Sequence, residues 1–489
     1  MKRIVARGFL WVVSTMALAR AARYLSFLLL GGMLAPEEFG QFAAIFVVVN
    51  GFTLFQGFGL GQALLLRRER VDEASDTIFI LSLALGVLFL ALAWVSAPLL
   101  RVVFGQTDLA GPYRLCSLVV LFRALQTVPS RRFEKDLAFS KQLAPGLAGS
   151  AVYAATALVL ATRGAGVWAL AGAEAAAAAG EMIAYWIQSP WRPRFRFDRS
   201  LAWADLSVGW VVLGGTLLVF LYQGVDRVAI GKILSTRELG TYAFAFTLAS
   251  VPASYAVRAL NTVLLPSYAS GKATAGDRTA LFLRATSYAC ALGSLFVIGV
   301  ASLGGRFLEA AYGEKWLDAR GALTVLAFLG LFHSFSSLSE DLVVGIGRPA
   351  VFRRISALRF ALAAAGVWAA ARWAGILGVA LVMALAMLAS SIAGWAAALR
   401  LLGAPARELG RAVARPLVAA AAVAPLAAGA ARGLPPDVGV GAVVALGVLL
   451  AAVYAAVWLG IDGVARTECA KWLAPANLAR GPRGDGGER

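Results

Sequence analysis

Long apolar segments recur along the whole chain, and this pattern constrains the fold more than any other feature of the sequence. A bilayer core about 30 Å thick needs roughly 20 apolar residues at about 1.5 Å per helical residue. About fourteen segments meet this requirement: residues 9–34, 39–63, 77–100, 113–128, 144–162, 165–188, 207–233, 241–265, 281–303, 320–344, 352–371, 375–399, 414–431 and 438–460. The sequence therefore predicts an all-α integral membrane protein.

Composition and charge agree with membrane helices rather than with a nucleic-acid-binding protein. Hydrophobic residues make up 60% of the 489 residues and charged residues 15%, whereas soluble proteins average about 45–50% and about 25%. The net charge of +18 would suit nucleic acid on a soluble face. However, Lys and Arg concentrate in alternate loops, as in Arg67, Arg68 and Arg70, which is typical of cytoplasmic loops. We therefore expect an even number of spans, cytoplasmic N- and C-termini and no nucleic-acid partner.

An internal repeat appears when the sequence is shifted by 200 residues against itself. The segment LGGMLAPEEFGQFA from Leu30 then overlays IGKILSTRELGTYA from Ile230. The identical pairs are Gly31/Gly231, Leu34/Leu234, Glu38/Glu238, Gly40/Gly240 and Ala43/Ala243. Because the shift covers six predicted spans, both copies keep the same orientation, and a pseudo-twofold axis along the membrane normal is expected.

The repeat and the apolar spans predict four units along the chain: a six-helix bundle over 1–200, a second over 201–402, two extra spans over 403–465, and a cytoplasmic tail over 466–489 that is disordered from Pro475. Two such bundles facing a central cavity suit alternating access, in which one half rocks against the other. The three cysteines show no disulfide or zinc spacing, so no metal site and no cofactor are predicted.

Arginines within the predicted spans are the first candidates for a binding site. A charge at a helix centre costs about 2.5–3.5 kcal/mol on insertion scales and is a functional candidate by default. Arg20 and Arg23 lie three residues apart on one face of the first span, and Arg258 lies within the eighth. The guanidinium fork suits two phosphate oxygens, so these arginines predict an anionic or phosphate-bearing substrate.

Four other ionisable residues are candidates for ion coupling or for the cavity wall: His333, Asp226, Glu174 and Glu181. Asp226 could instead pair with neighbours and hold the bundle together, and His333 could be a packing residue or a proton carrier. Arg123 and Arg359 lie near predicted cytoplasmic ends, where snorkelling of the side chain to the interface is the simpler interpretation.

Seven short segments together resemble a known transporter family. They are LAPEEFGQFA, VPSRRFEKDLAFSK, GAGVWALAG, WRPRFRFD, DRVAIGKILSTRELGTYAFAFTLASVP, LLPSYAS and GEKWLDA. In their order and spacing they resemble the polysaccharide-export (Wzx-like) branch of the multidrug/oligosaccharidyl-lipid/polysaccharide (MOP) flippase superfamily. The resemblance covers most of the first twelve spans.

The resemblance implies a flippase of the bacterial inner membrane that moves undecaprenyl-pyrophosphate-linked sugar repeat units for O-antigen, capsule or exopolysaccharide export. In the related lipid II flippases, arginines of the first and eighth helices meet the pyrophosphate, and Arg20, Arg23 and Arg258 match them by helix. The family works without ATP, and the sequence has no phosphate-binding GxxxxGK[ST] loop. Coupling to the membrane potential, H⁺ or Na⁺ is implied, with polysaccharide polymerase and export proteins as partners.

Three other functions stay open from the sequence. A MATE-like drug/cation antiporter would use carboxylates such as Glu174, Glu181 and Asp226. A membrane-embedded glycan polymerase or ligase would need acid/base groups in a large external loop, and the longest one, around 304–320, is small; we therefore expect no enzyme. If the protein were only a scaffold for polysaccharide assembly, mutation of the arginines would be tolerated. Candidate sugar contacts, which are equally explained as packing residues, are Asn50, Gln56, Gln62, Gln223 and Asn261.

Overall fold

The chain is all-helical in the computed structural model, which describes residues 21–104, 109–136, 138–250, 268, 274–435, 438–463 and 465–467. Over these residues we number the α-helices in chain order as α1 (21–33), α2 (Pro36–Gly57), α3 (Leu60–Leu66), α4 (Val71–Phe104), α5 (Ala110–Lys135), α6 (Leu143–Thr162), α7 (Val167–Gln188), α8 (Arg199–Ile233), α9 (236–250), α10 (Ala275–Tyr312), α11 (Ala319–Gly345), α12 (Pro349–Leu402), α13 (Ala406–Arg432) and α14 (Val440–Ile461).

Ten helical segments among the described residues are long and apolar enough to cross a bilayer. The helix α12 has 54 residues, which would extend about 80 Å if straight. It breaks at Gly375, whose φ of 58° lies in the left-handed region that glycine tolerates, and so accounts for two predicted spans. The count of fourteen is not confirmed by this measure: α5 carries several basic residues, α1 is short, and the predicted span 241–265 lies partly outside the described residues.

The two ends of the bundle differ in composition, and we name them accordingly. The glycine end carries Gly40 near the start of α2 and Gly240 near the start of α9. The arginine end carries Arg67 after α3 and Arg131 in the last turns of α5. At the arginine end the Lys135 ammonium also donates to the carbonyl oxygen of Leu64 at 3.2 Å, which ties α5 to α3.

Helix packing follows the chain order closely. The helix α5 packs against α2, α4 and α7, and α6 packs against α7. The helix α11 packs against α10 and α12, while α8 contacts α12 and also α2, α3 and α4. The C-terminal helices α13 and α14 pack on α10 and on each other. The boundaries predicted at residues 200 and 402 stay predictions.

The repeated glycines meet each other at the glycine end. A Cβ added to Gly40 would overlap the carbonyl oxygen of Thr236, and one added to Gly240 would overlap that of Pro36. The backbone nitrogen of each glycine also lies within contact of the other's added Cβ. Residues that the 200-residue shift aligns therefore touch, as residues on a twofold axis do.

The repeated glutamates have the same local role in both copies. A Glu38 carboxylate oxygen accepts a hydrogen bond from the Ala35 amide at 2.7 Å. Correspondingly, Glu238 accepts from the Ser235 amide at 3.0 Å. Both glutamates lie at the third position of a helix, and each accepts a hydrogen bond from a backbone amide that has no acceptor within the helix. The Glu-x-Gly spacing of the repeat thus combines a helix cap with the glycine contact.

Candidate functional site

Arg23 pairs with a carboxylate inside the first half of the chain. Its Nη2 donates to Glu174 Oε2, and its guanidinium lies 4.3 Å from the ring centroid of Tyr153. The Arg23 side chain keeps 40% of its surface exposed, against 9% for Glu174. One face of this guanidinium is therefore occupied by α6 and α7. The other two predicted anion ligands, Arg20 and Arg258, lie outside the described residues, so the role of all three stays a prediction.

Glu181 has an arginine partner at the same depth. Arg123 Nη1 lies 2.9 Å from Glu181 Oε2. Both helices start at the glycine end, with Arg123 thirteen residues after Ala110 and Glu181 fourteen after Val167, which places both about 20 Å along their helices. Arg123 therefore forms an ion pair with Glu181 within the bundle, which the snorkelling interpretation did not include. Equal depth was the signal that could have revealed this pair.

Arg359 is buried rather than extended to the membrane interface, so the snorkelling prediction is wrong for this residue. Its side chain is 7% exposed, and it donates to Glu340 on α11 and to Ser336 Oγ at 2.6 Å. Ser390 Oγ accepts from Nε at 3.1 Å. Inside the bundle, these carboxylate and hydroxyl oxygens accept the hydrogen bonds that water would accept at the membrane interface.

Asp226 holds two helices together, as one of its two interpretations predicted. It is 1% exposed and accepts hydrogen bonds from the Tyr242 hydroxyl at 2.8 Å and from the Arg227 amide at 2.8 Å. Tyr242 belongs to α9, so this contact joins α8 to α9 across their turn. His333 lies partly buried on α11, and its role in coupling stays a prediction.

A polar pocket of about 280 Å³ opens at the arginine end between α2, α3, α5 and α8. We call it the amide pocket, after three of the side chains on its wall. Its polar lining includes Gln56, Gln62, Gln126, Thr53, Thr127 and Thr216. Arg123 and Arg131 also lie on its wall.

The amide pocket brings together two of the five candidate sugar contacts, Gln56 and Gln62. Asn261 lies outside the described residues. Gln126 was missed, since a single glutamine in α5 carries no pattern that marks it. Among the described residues, no group of three His, Cys, Asp or Glu side chains comes together as metal ligands do.

Comparison with known proteins identifies the family. Residues 29–320 match the family described as polysaccharide biosynthesis protein. The succinoglycan biosynthesis transport protein ExoT of Rhizobium meliloti (strain 1021) is 24% identical over 351 residues, which cover 71% of each chain.

Solved structures share the fold at low sequence identity. The lipid II flippase MurJ in an inward closed conformation aligns with a TM-score of 0.73 and 12% identity, over 91% of this chain and 98% of its own. An inward-facing multidrug resistance MATE family transporter of the MOP superfamily gives 0.61 and 16%, over 80% and 94%. The predicted resemblance to a polysaccharide-export family is confirmed by the family match, and the fold is the one that the MOP-superfamily structures share. This multi-pass membrane chain belongs to the polysaccharide biosynthesis protein family.

Proposed function

We propose that the chain is a flippase that moves undecaprenyl-pyrophosphate-linked sugar repeat units across the bacterial inner membrane, for O-antigen, capsule or exopolysaccharide export. The family match and the transport role in the name of ExoT support a transporter of polysaccharide precursors. The observation that carries the proposal is the asymmetry between the bundle ends: the repeats touch at the glycine end, and the arginine end holds a polar pocket. Alternating access requires such a difference between the two ends.

The orientation follows from the positive-inside rule. The arginine end, with its basic loops, faces the cytoplasm, as do both termini, and the glycine end faces outward. Several contacts between the halves close the outer end. The Lys315 ammonium donates to the Leu34 carbonyl oxygen at 2.6 Å, and Trp316 Nε1 donates to that of Gly31 at 2.8 Å. This arrangement is therefore closed toward the outside.

Binding of pyrophosphate at Arg23 requires an exchange of partners. Glu174 now occupies the guanidinium, and a phosphate group would offer the same planar fork more oxygens and more charge. We infer that the pyrophosphate displaces Glu174 from Arg23 and also meets Arg20 and Arg258. Movement is driven without ATP, by the membrane potential or by H⁺ or Na⁺, and His333 is the candidate for the coupling group, since Asp226 already accepts a hydrogen bond from Tyr242.

The test is to locate lipid-linked intermediates in a strain that lacks this gene. Intermediates should accumulate in the cytoplasmic leaflet and be cleared by the wild-type protein, but not by Arg20→Ala or Arg258→Ala proteins present at wild-type levels. Absence of trapping in the deletion strain would refute the flippase. If both arginine variants clear the trapped intermediates as wild type does, these two residues are not part of the binding site.

The MATE-like antiporter is the second candidate, because a MATE transporter shares the fold. A cation antiporter needs carboxylates that are available for proton exchange. Here Glu174 and Glu181 are each paired with an arginine, and Asp226 accepts from Tyr242, which favours the flippase. Drug resistance that depends on the gene, without trapped glycan intermediates, would reverse this preference.

A further inference from the structure

The amide pocket offers hydrogen bonds without a net charge. Its two arginines are each paired with a carboxylate: Arg123 with Glu181 at 2.9 Å, and Arg131 with Glu134 at 2.5 Å. A phosphate entering the pocket would have to compete with both carboxylates. The wall is therefore better matched to a neutral ligand than to the pyrophosphate.

One amide on the wall has an unused acceptor. Gln126 is only 6% exposed, and its Oε1 accepts no hydrogen bond from the described residues. A buried polar atom without a partner is costly, and a ligand or water that donates to it recovers that cost. Gln126 lines the pocket, so the missing donor can come from a molecule bound there.

The remaining wall repeats the same chemistry. Gln56 and Gln62 each add an amide with donors and an acceptor. Thr127 adds a hydroxyl oxygen that can accept, while its hydrogen is donated to the Arg123 carbonyl oxygen at 2.9 Å. A sugar ring presents several hydroxyl groups that can both donate and accept. The volume of about 280 Å³ lies just below the usual range of about 300–1,000 Å³ for small-molecule pockets, which suits one sugar ring and not a long chain.

We propose that the amide pocket binds an uncharged sugar ring of the lipid-linked glycan, apart from the arginines that meet its pyrophosphate. This proposal rests on the flippase function proposed above. The pocket wall includes α8, which follows the predicted boundary at residue 200, together with α2, α3 and α5, which precede it. Rocking of the predicted halves would therefore open or compress the sugar site while the head group crosses.

Two substitutions test the site in different ways. Gln126→Met keeps the side-chain length and removes the amide. Gly57→Leu fills the pocket, since a Cβ added at Gly57 meets no heavy atom within 4 Å and the backbone has room for it. Gly214→Leu is the matched control: a Cβ there is equally free of contacts, and Gly214 does not line the pocket.

The binding probes are the repeat-unit oligosaccharide released from the host's own polymer and inorganic pyrophosphate, each titrated into the purified full-length protein. Oligosaccharide binding should weaken about three- to tenfold in Gln126→Met, as expected for one lost hydrogen bond, and disappear in Gly57→Leu. Pyrophosphate binding should stay unchanged in both variants, and Gly214→Leu should match wild type for both probes. Unchanged oligosaccharide binding in Gly57→Leu would overturn the proposal.

Complementation of the deletion strain separates this proposal from the proposed function. Trapped lipid-linked intermediates that wild type and Gly214→Leu relieve, but Gly57→Leu does not, would support the sugar site. Relief by Gly57→Leu as complete as by wild type would refute the sugar site and leave the flippase standing. A deletion strain without trapped intermediates would refute the flippase itself, and oligosaccharide binding would then indicate a transporter of free sugars.

Discussion

The two ends of the bundle hold the halves of the chain by different means. At the glycine end the repeats touch through backbone atoms, and indole and ammonium groups donate to carbonyl oxygens. At the arginine end, Arg67 forms an ion pair with Asp205 across the predicted boundary at residue 200, and the pocket there contains the buried Gln126 Oε1, which accepts no hydrogen bond from the described residues. Backbone contacts tolerate little adjustment, whereas ion pairs can exchange partners. With the orientation proposed above, the comparison indicates a close-fitting outer seal and an adaptable inner entrance.

Aromatic rings reinforce the glycine end. Phe244 and Trp316 stack with centroids 4.0 Å apart, and Phe39 meets Trp316 edge-on at 5.3 Å. Trp316 is fully buried. Because these rings come from α2, α9 and the turn after α10, they join both halves of the chain around the repeated glycines.

The largest expected effect comes from adding a single methyl group to the seal. Gly40→Ala places a Cβ on the Thr236 carbonyl oxygen, and backbone cannot move aside as a flexible side chain can. We expect export to be lost and the free energy of unfolding in detergent to fall by about 5 kcal/mol, which is more than overpacking usually costs, because the methyl group collides with backbone atoms. Gly32→Ala is the control, since a Cβ there meets no heavy atom within 4 Å. Normal export by Gly40→Ala would show that the outer seal is adaptable too.

Breaking an ion pair near the arginine end should have the next largest effect when the pair is buried. Arg359→Met leaves Glu340 without its partner, and such a loss costs about 3–5 kcal/mol. As a control at the glycine end, Arg306→Met removes a more exposed pair with Glu309 and should change stability by less than about 1 kcal/mol. Both are measured as apparent unfolding temperatures in detergent. Equal shifts for the two variants would argue against an inner end held by buried charge.

A single hydrogen bond at the seal should matter less than the glycine contact. Trp316→Phe keeps an aromatic ring and removes the donor to the Gly31 carbonyl oxygen, so we expect a loss of about 1 kcal/mol with reduced but measurable export. Trp373→Phe, at a position that is 87% exposed, serves as control. Complete loss of export in Trp316→Phe would mean that the indole does more than close the outer end.

The smallest expected effect is a pH dependence at the arginine end. Hydrogen bonds from the Ser200 hydroxyl, Arg70 and the Leu201 amide hold the pKa of Asp198 well below its usual value. A lowered pKa in the folded protein stabilises it above the unfolded pKa of about 4, and this contribution is lost as the pH falls toward the folded value. The unfolding temperature of Asp198→Asn should therefore depend less on pH below about 4 than that of wild type. Parallel pH curves would contradict this role.

Much of the fold followed from the sequence, because it depends on patterns along one dimension. Apolar length predicted the helices, and the 200-residue shift predicted which glycines are equivalent. Their direct contact is the structural result of that equivalence. The break at Gly375 in α12 lies where the predicted span 352–371 ends and the predicted span 375–399 begins.

The ion pairs and the amide pocket were harder to predict, because they depend on how each helix is rotated. Residue counting gives the depth of Arg123 and Glu181 but not the direction in which their side chains point. Arg359 was assigned to the interface because the sequence does not reveal Ser336 and Ser390 as acceptors around it. Gln126 became notable only because none of the described residues donates a hydrogen bond to its Oε1.

The contact between Gly40 and Gly240 also limits how far the two repeats can diverge. A residue on a twofold axis faces its own counterpart, so a larger side chain introduced in both repeats would add its volume twice at one point. Other contacts between the halves, such as those of α8 with α2, α3 and α4, join residues that the 200-residue shift does not align. At Gly40 and Gly240, by contrast, the side chains in the two copies of the sequence have to stay small together.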